Sequence, residues 1–216
     1  MNIPKGARSL LDFIGDIEAP KGYDTIYGNN QHRLKTPVTK MTIDQIIASQ
    51  RDWTKRYGSS ATGRYQFMRA TLTGLKKELN LKGSEKLTPA MQDRLGYHLL
   101  KRRGYADFMA DRISLMTFGK KLAQEWASLP VLAATKGAHR KLERGQSYYA
   151  GDALNKSLVS PVKFEGAIDA AYIAGRRRMP KKLRPPVEIK KEPSLPRHEP
   201  PWWKRPKIFR FFKWKF

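Results

Sequence analysis

Eight of the fourteen prolines fall between Pro180 and Pro206, and this crowding limits where a compact domain can form. Proline has no backbone N–H and a fixed φ, so the segment can form neither a continuous helix nor a central strand. The 216-residue chain therefore divides into one domain of ordinary size over residues 1–178, a proline-rich linker over 179–201 and a disordered basic tail over 202–216. Charge follows the same division. Residues 176–216 carry fifteen Lys/Arg against three Asp/Glu, half of the formal net charge of +24. Such an excess points to an anionic polymer or surface as partner, whether nucleic acid, cell wall or lipid. With no cysteine and four histidines, a disulfide scaffold, a Cys-ligated zinc and a thiol nucleophile are excluded, and neither metal nor cofactor is expected. No run of about 18 apolar residues exists to span a bilayer. Lys5, Arg8, Asp12 and Asp16 interrupt the N-terminal apolar stretch, so a signal peptide is not expected and the chain should stay in the cytoplasm until something releases it.

Within the first 175 residues the apolar spacing is mainly helical. Leu10, Phe13, Ile14 and Ile17 follow the i, i+3, i+4, i+7 pattern of a helix with one buried face, ending near Glu18 before Pro20. Thr42 and Gln45 fit a capping box ahead of Ile43, Ile46 and Ile47. Further helices are expected over Met68–Leu79, from Thr88-Pro89 to Gly104, over Leu115–Leu129 closed by Pro130, and from Ser160-Pro161 through Tyr172. Gly22–Val38, with alternating Tyr23, Thr25 and Tyr27, suits a hairpin or an irregular loop. The fold class expected is mainly α, of the α+β kind, with one small irregular or hairpin segment.

Glu18 is the most informative single residue. It ends an apolar helix face, where a carboxyl is set against the core rather than in bulk water. Burial there raises its pKa and keeps a proton available near neutral pH, as a general acid requires. The alternative is an ordinary solvated residue at a helix end.

Three downstream strings give Glu18 a context: Gly22-Tyr23-Asp24-Thr25-Ile26-Tyr27-Gly28, Ser59 through Gly63-Arg64-Tyr65-Gln66, and Trp126-Ala127-Ser128-Leu129-Pro130. In this order, over roughly residues 7–150, they resemble the phage lambda lysozyme family, with a shorter first loop. The resemblance implies a lysozyme-like domain that cleaves the β-1,4 bond between N-acetylmuramic acid and N-acetylglucosamine in peptidoglycan. It implies Glu18 as the acid and then the base of a lytic transglycosylation, in which the muramyl 6-hydroxyl attacks and no water is consumed. Asp24 is the candidate second carboxyl that hydrolysis by a muramidase would need; otherwise it caps a turn. Tyr23, Arg64, Tyr65, Gln66 and Tyr149 are candidate substrate contacts, with packing as the alternative for Arg64 and Tyr65. Tyr148 and Tyr149 together suit a sugar-stacking platform or a core role. Trp126 reads as core, while Trp53 is undecided. The implied setting is a monomer that is made in the bacterial cytoplasm and acts on the wall in the periplasm after release.

In the tail, Trp202, Trp203, Phe209, Phe211, Phe212, Trp214 and Phe216 alternate with Lys204, Arg205, Lys207, Arg210, Lys213 and Lys215. Cations for lipid phosphates and aromatics for the headgroup level make an interfacial, membrane-active composition directed at anionic or outer-membrane lipid. Single-stranded nucleic acid and docking on the chain's own domain are the alternatives. A nucleic-acid-binding basic protein accounts for the charge but leaves the ordered motifs unexplained. No helix-turn-helix or zinc motif is visible, so no specific nucleic acid is expected. A third possibility is a degenerate wall-binding module whose active part is the tail.

Overall fold

Helix α1, Lys5–Glu18, is the element around which the others gather. Its Ala7, Leu10, Leu11 and Ile14 are fully buried, each larger side chain contributing about 1.5–3 kcal/mol by leaving water. Asp12 and Asp16 lie on the exposed face. The helix stops at Glu18 because Ala19 precedes Pro20, which disfavours the α conformation there. Ala19 adopts φ −146° and donates its N–H to Gly15 O at 2.9 Å. The computed structural model describes residues 2–151 and 155–176; the expected linker and tail lie outside the described residues.

Six further α-helices follow among the described residues: α2 Ile43–Tyr57, α3 Arg69–Glu78, α4 Pro89–Arg102, α5 Tyr105–Met109, α6 Leu115–Ala123 and α7 Pro161–Arg176. The Thr42/Gln45 capping box forms in full, and Gly58 closes α2 in the left-handed conformation at φ 86°. Pro89 occupies the first turn of α4, behind a Thr88 side chain that accepts from Met91 N. Helix α7 lies along α1, stacking Phe164 on Phe13 with centroids 6.2 Å apart and burying Ile168 and Ala171. Close approach depends on Gly6, where a Cβ would stand 2.2 Å from Ala171 O. Phe118 of α6 stacks on Phe108 of α5 at 4.7 Å.

One expectation is corrected and one alternative is decided. The apolar series Leu115, Leu122, Trp126, Leu129 reads as one helix, but α6 ends at Ala123. The Gln124 carbonyl accepts from Tyr149 Oη at 2.8 Å and from Arg103 Nη2 at 3.3 Å instead of extending the helix. Residues 124–129 turn back towards α1. Of the two conformations considered for Gly22–Val38, the irregular one is adopted. It holds a 3-10 turn over Tyr27–Arg33, with Gly28 and Asn29 at positive φ, and a single bridge from Ile26 to Thr62. The hairpin of the fold lies elsewhere, pairing β1 Thr135–Lys136 with β2 Lys141–Leu142 in antiparallel register. Among the described residues the fold is mainly α with this one small sheet.

Candidate active site

The C-terminus of α1 delivers Glu18 into a cleft of about 850 Å³, whose lining includes Gln66, Met68, Trp126, Ser128 and Tyr149. Ser128 Oγ donates to Glu18 Oε1 at 2.5 Å. Desolvation pushes the Glu18 carboxyl up to about 7, and the Ser128 hydrogen bond opposes that rise only in part. A carboxyl poised there holds a proton at neutral pH and can also take one back, the requirement for an acid that becomes a base within one turnover.

Part of the cleft lining comes from a loop, Ser59–Met68, fixed by isolated bridges from Thr62 to Ile26 and Phe67 and by two buried amides. Gln50 Nε2, on the buried face of α2, reaches Ser60 O at 2.7 Å, Phe67 O at 2.9 Å and Thr62 Oγ1 at 3.2 Å. Gln92 of α4 accepts from Arg64 N at 2.8 Å and donates to Tyr23 O and Leu87 O, both at 3.0 Å. Both glutamines are 0% exposed, so these bonds replace water that the loop backbone cannot reach. Gly63 sits at φ 78°, where a Cβ would meet Gln92 Oε1 at 2.3 Å, which accounts for glycine at that position. Gln66, at φ 48°, donates from Nε2 to Gly63 O at 2.7 Å.

Of the seven candidate catalytic and substrate-contacting residues, Glu18, Gln66 and Tyr149 line the cleft together. Tyr149 packs edge-on to Tyr148 at 5.2 Å, and burial raises its hydroxyl pKa. The other four lie outside the cleft lining. Asp24 Oδ1 accepts from Thr39 N at 2.8 Å, a contact fifteen residues along the chain rather than a cap on the Tyr23–Gly28 turn. Arg64 pairs with Asp16 at 2.7 Å, and its guanidinium lies 5.4 Å from the Tyr23 ring centroid. Tyr65 is 1% exposed, so its ring meets core rather than solvent. Its hydroxyl donates to Asp93 Oδ1 at 2.7 Å, beside that of Tyr23 at 2.9 Å. Asp93 also pairs with Arg8. Trp126 is core, as expected, and its Nε1 donates to Tyr65 O at 3.3 Å. Trp53 is core too.

Several residues escaped the sequence reading. Ser128 lies inside the Trp126–Pro130 string, where its sequence context does not set it apart as a partner of Glu18. Gln50 and Gln92 carried a usable signal, since each puts an amide on the apolar face of its helix, beside Ile46 and Trp53 or beside Leu95. Arg102, Arg103 and Glu125, which also line the cleft, gave no local sign.

Among the described residues, no group of three or more His, Cys, Asp or Glu is placed to hold a metal ion. Likewise, no described helix is long and apolar enough to cross a membrane. No curated protein and no solved structure matches the chain. The sequence pattern of the endolysin family matches residues 16–153, which takes in Glu18, the amide-pinned loop and Ser128. With 138 of 216 residues inside that match, the chain belongs to the endolysin family, the peptidoglycan-degrading enzymes of bacteriophages.

Proposed function

We propose that the protein cleaves the MurNAc-β-1,4-GlcNAc bond by lytic transglycosylation, with Glu18 as the one acid and base. The observation that carries this is a carboxyl held near pKa 7 on the cleft wall without a second free carboxylate beside it. Glu125, the other carboxylate among the described cleft residues, is bound by Arg102 and Arg103. Asp24 is engaged with Thr39 N and is not part of the lining. Hydrolysis by two carboxyls needs both to flank the scissile bond; intramolecular attack needs only one.

In this reaction protonated Glu18 gives its proton to the glycosidic oxygen as the C1–O bond breaks. The muramyl 6-hydroxyl oxygen then bonds to C1, and its proton passes to the Glu18 carboxylate. The product is a 1,6-anhydro end, and Glu18 finishes in the state in which it began. Tyr149 and Gln66 line the path of the glycan, offering a ring face and an amide for sugar and N-acetyl groups. Mass spectrometry of muropeptides released from purified sacculi tests the proposal. Anhydro products, each lighter by one water than the reducing form, are expected from wild type. Glu18→Gln, which keeps size but cannot donate the proton, should lower release about a hundredfold. Reducing-end products would overturn transglycosylation in favour of the muramidase reaction.

The composition of residues 202–216 supports a second, separable action on anionic membrane, by which the enzyme reaches peptidoglycan past an outer membrane. Removing residues 202–216 should leave release from naked sacculi intact and abolish dye leakage from anionic vesicles. Equal leakage with and without the tail would overturn it.

A further inference from the structure

The glycan backbone of peptidoglycan is neutral apart from what its muramyl units carry, yet the cleft wall is not. Arg102, Arg103 and Lys156 line it against Glu18 and Glu125, and a Glu18 holding its proton leaves cations in excess. The two arginines are also built in. Arg103 Nε bonds Glu125 Oε2 at 2.6 Å, and Arg102 Nη2 reaches both Glu125 oxygens at 3.3 Å. Arg102 Nη1 takes Glu78 at 3.1 Å, and Arg103 Nη2 takes the Gln124 carbonyl at 3.3 Å. The Glu125 side chain is only 7% exposed, whereas those of Arg102 and Arg103 are 37% and 28% exposed. A shielded carboxylate thus fixes two guanidinium groups whose remaining N–H donors, Arg103 Nη1 among them, have no hydrogen-bond partner among the described residues. Fixed guanidinium forks suit carboxylates, which they bind through paired N–H donors.

Resting on the peptidoglycan reading above, we infer that Arg102 and Arg103, oriented by Glu125, form a subsite for the carboxylates of the stem peptide on the muramyl unit. The position fits. Gln124 and Glu125, which hold the arginines, precede Ser128, which holds Glu18, by at most four residues, a span of no more than about 14 Å even if extended. Cleavage and peptide recognition therefore share one stretch of chain, so an arriving glycan is registered by its charged branches while its neutral backbone lies across Glu18. Tyr149, bonded to the same Gln124 carbonyl at 2.8 Å, lines the same cleft.

The test uses the full chain carrying Glu18→Gln, so that ligand is bound but not cut, and measures affinity calorimetrically for a tetrasaccharide bearing stem peptides. One sample has free carboxylates, and the other has the same carboxylates converted to primary amides. The free form should bind about tenfold or more tighter, with the difference shrinking as salt rises. Adding Arg102→Gln should bring the ratio of the two affinities close to one. Arg103→Gln combined with Glu125→Gln, which removes the pair without stranding a buried carboxylate, should do the same and serves if Arg102→Gln fails to fold. Equal binding of the two forms by the Glu18→Gln chain, or a preference that survives in the arginine variants, overturns the subsite alone. Failure to bind either form, together with no muropeptide release by wild type, overturns the peptidoglycan reading and the subsite with it.

Discussion

Ser128 Oγ and Glu18 Oε1 meet at 2.5 Å although 110 residues separate them in the chain. The contact joins the end of α1 to the turn after α6, and its donor is the one side chain that draws the Glu18 pKa down against desolvation. Ser128→Ala should therefore move the Glu18 limb of the pH–rate profile to higher pH, because the acid form then persists further. The maximal rate should fall about tenfold through loss of a charge-assisted hydrogen bond. An unmoved limb would show that the hydroxyl does not act on Glu18.

Glu18 also sets a pH-dependent cost in stability. Its carboxyl titrates near 7 in the fold against an ordinary 4.5, so between these values the unfolded chain releases a proton that the folded chain keeps. Stability contributed by the raised pKa is complete below about 4.5 and is lost as pH rises through about 7. The loss is on the order of 3 kcal/mol at most. Glu18→Gln should then raise the melting temperature at pH 8 and leave it nearly unchanged at pH 4. An equal shift at both would refute the titration.

Asp93 collects Arg8, Tyr23 and the buried Tyr65 hydroxyl on one carboxylate that is 12% exposed. Asp93→Ala leaves the buried Tyr65 hydroxyl without its acceptor, while the 41% exposed Arg8 keeps its water, which should cost about 1–3 kcal/mol. Chemical denaturation would show it as a lower midpoint with an unchanged slope. A change under about 0.5 kcal/mol, the level of ordinary surface substitutions, would mean that the cluster holds nothing together.

Gly6→Ala addresses the packing of α7 on α1. The added methyl would sit 2.2 Å from a backbone carbonyl, which cannot swing aside as a side chain end could, so α7 must shift. A loss of about 1–3 kcal/mol is expected from such overpacking, with faster hydrogen exchange in α7. Unchanged exchange would place the strain elsewhere.

The helices were legible where local chemistry decides them. The α1 stripe, the Thr42/Gln45 box and Thr88-Pro89 each gave a boundary the structure repeats. The end of α6 was not, since Tyr149 and Arg103 capture Gln124 O from distant parts of the chain and no local signal announces them. The two strands, each of two residues, are too short for an alternating pattern to register. At the site, the motif strings located Glu18 and Gln66. They left Tyr65 open between substrate and packing, and burial decides it for the core. Adjacent loop residues face opposite ways for reasons set by Gln50, Gln92 and Asp93, all on other elements.

The amide pinning of the Ser59–Met68 loop bears on how this cleft could be remade. Gln50 and Gln92 hold it through the Ser60, Phe67, Tyr23 and Leu87 carbonyls and the Arg64 N–H, with Thr62 Oγ1 the one side-chain atom involved. Main-chain atoms are common to nearly every amino acid. Met68, exposed on that loop, can thus be varied over an unchanging backbone, whereas Ser59, whose Oγ accepts from Ala61 N at 3.2 Å, is part of what holds it.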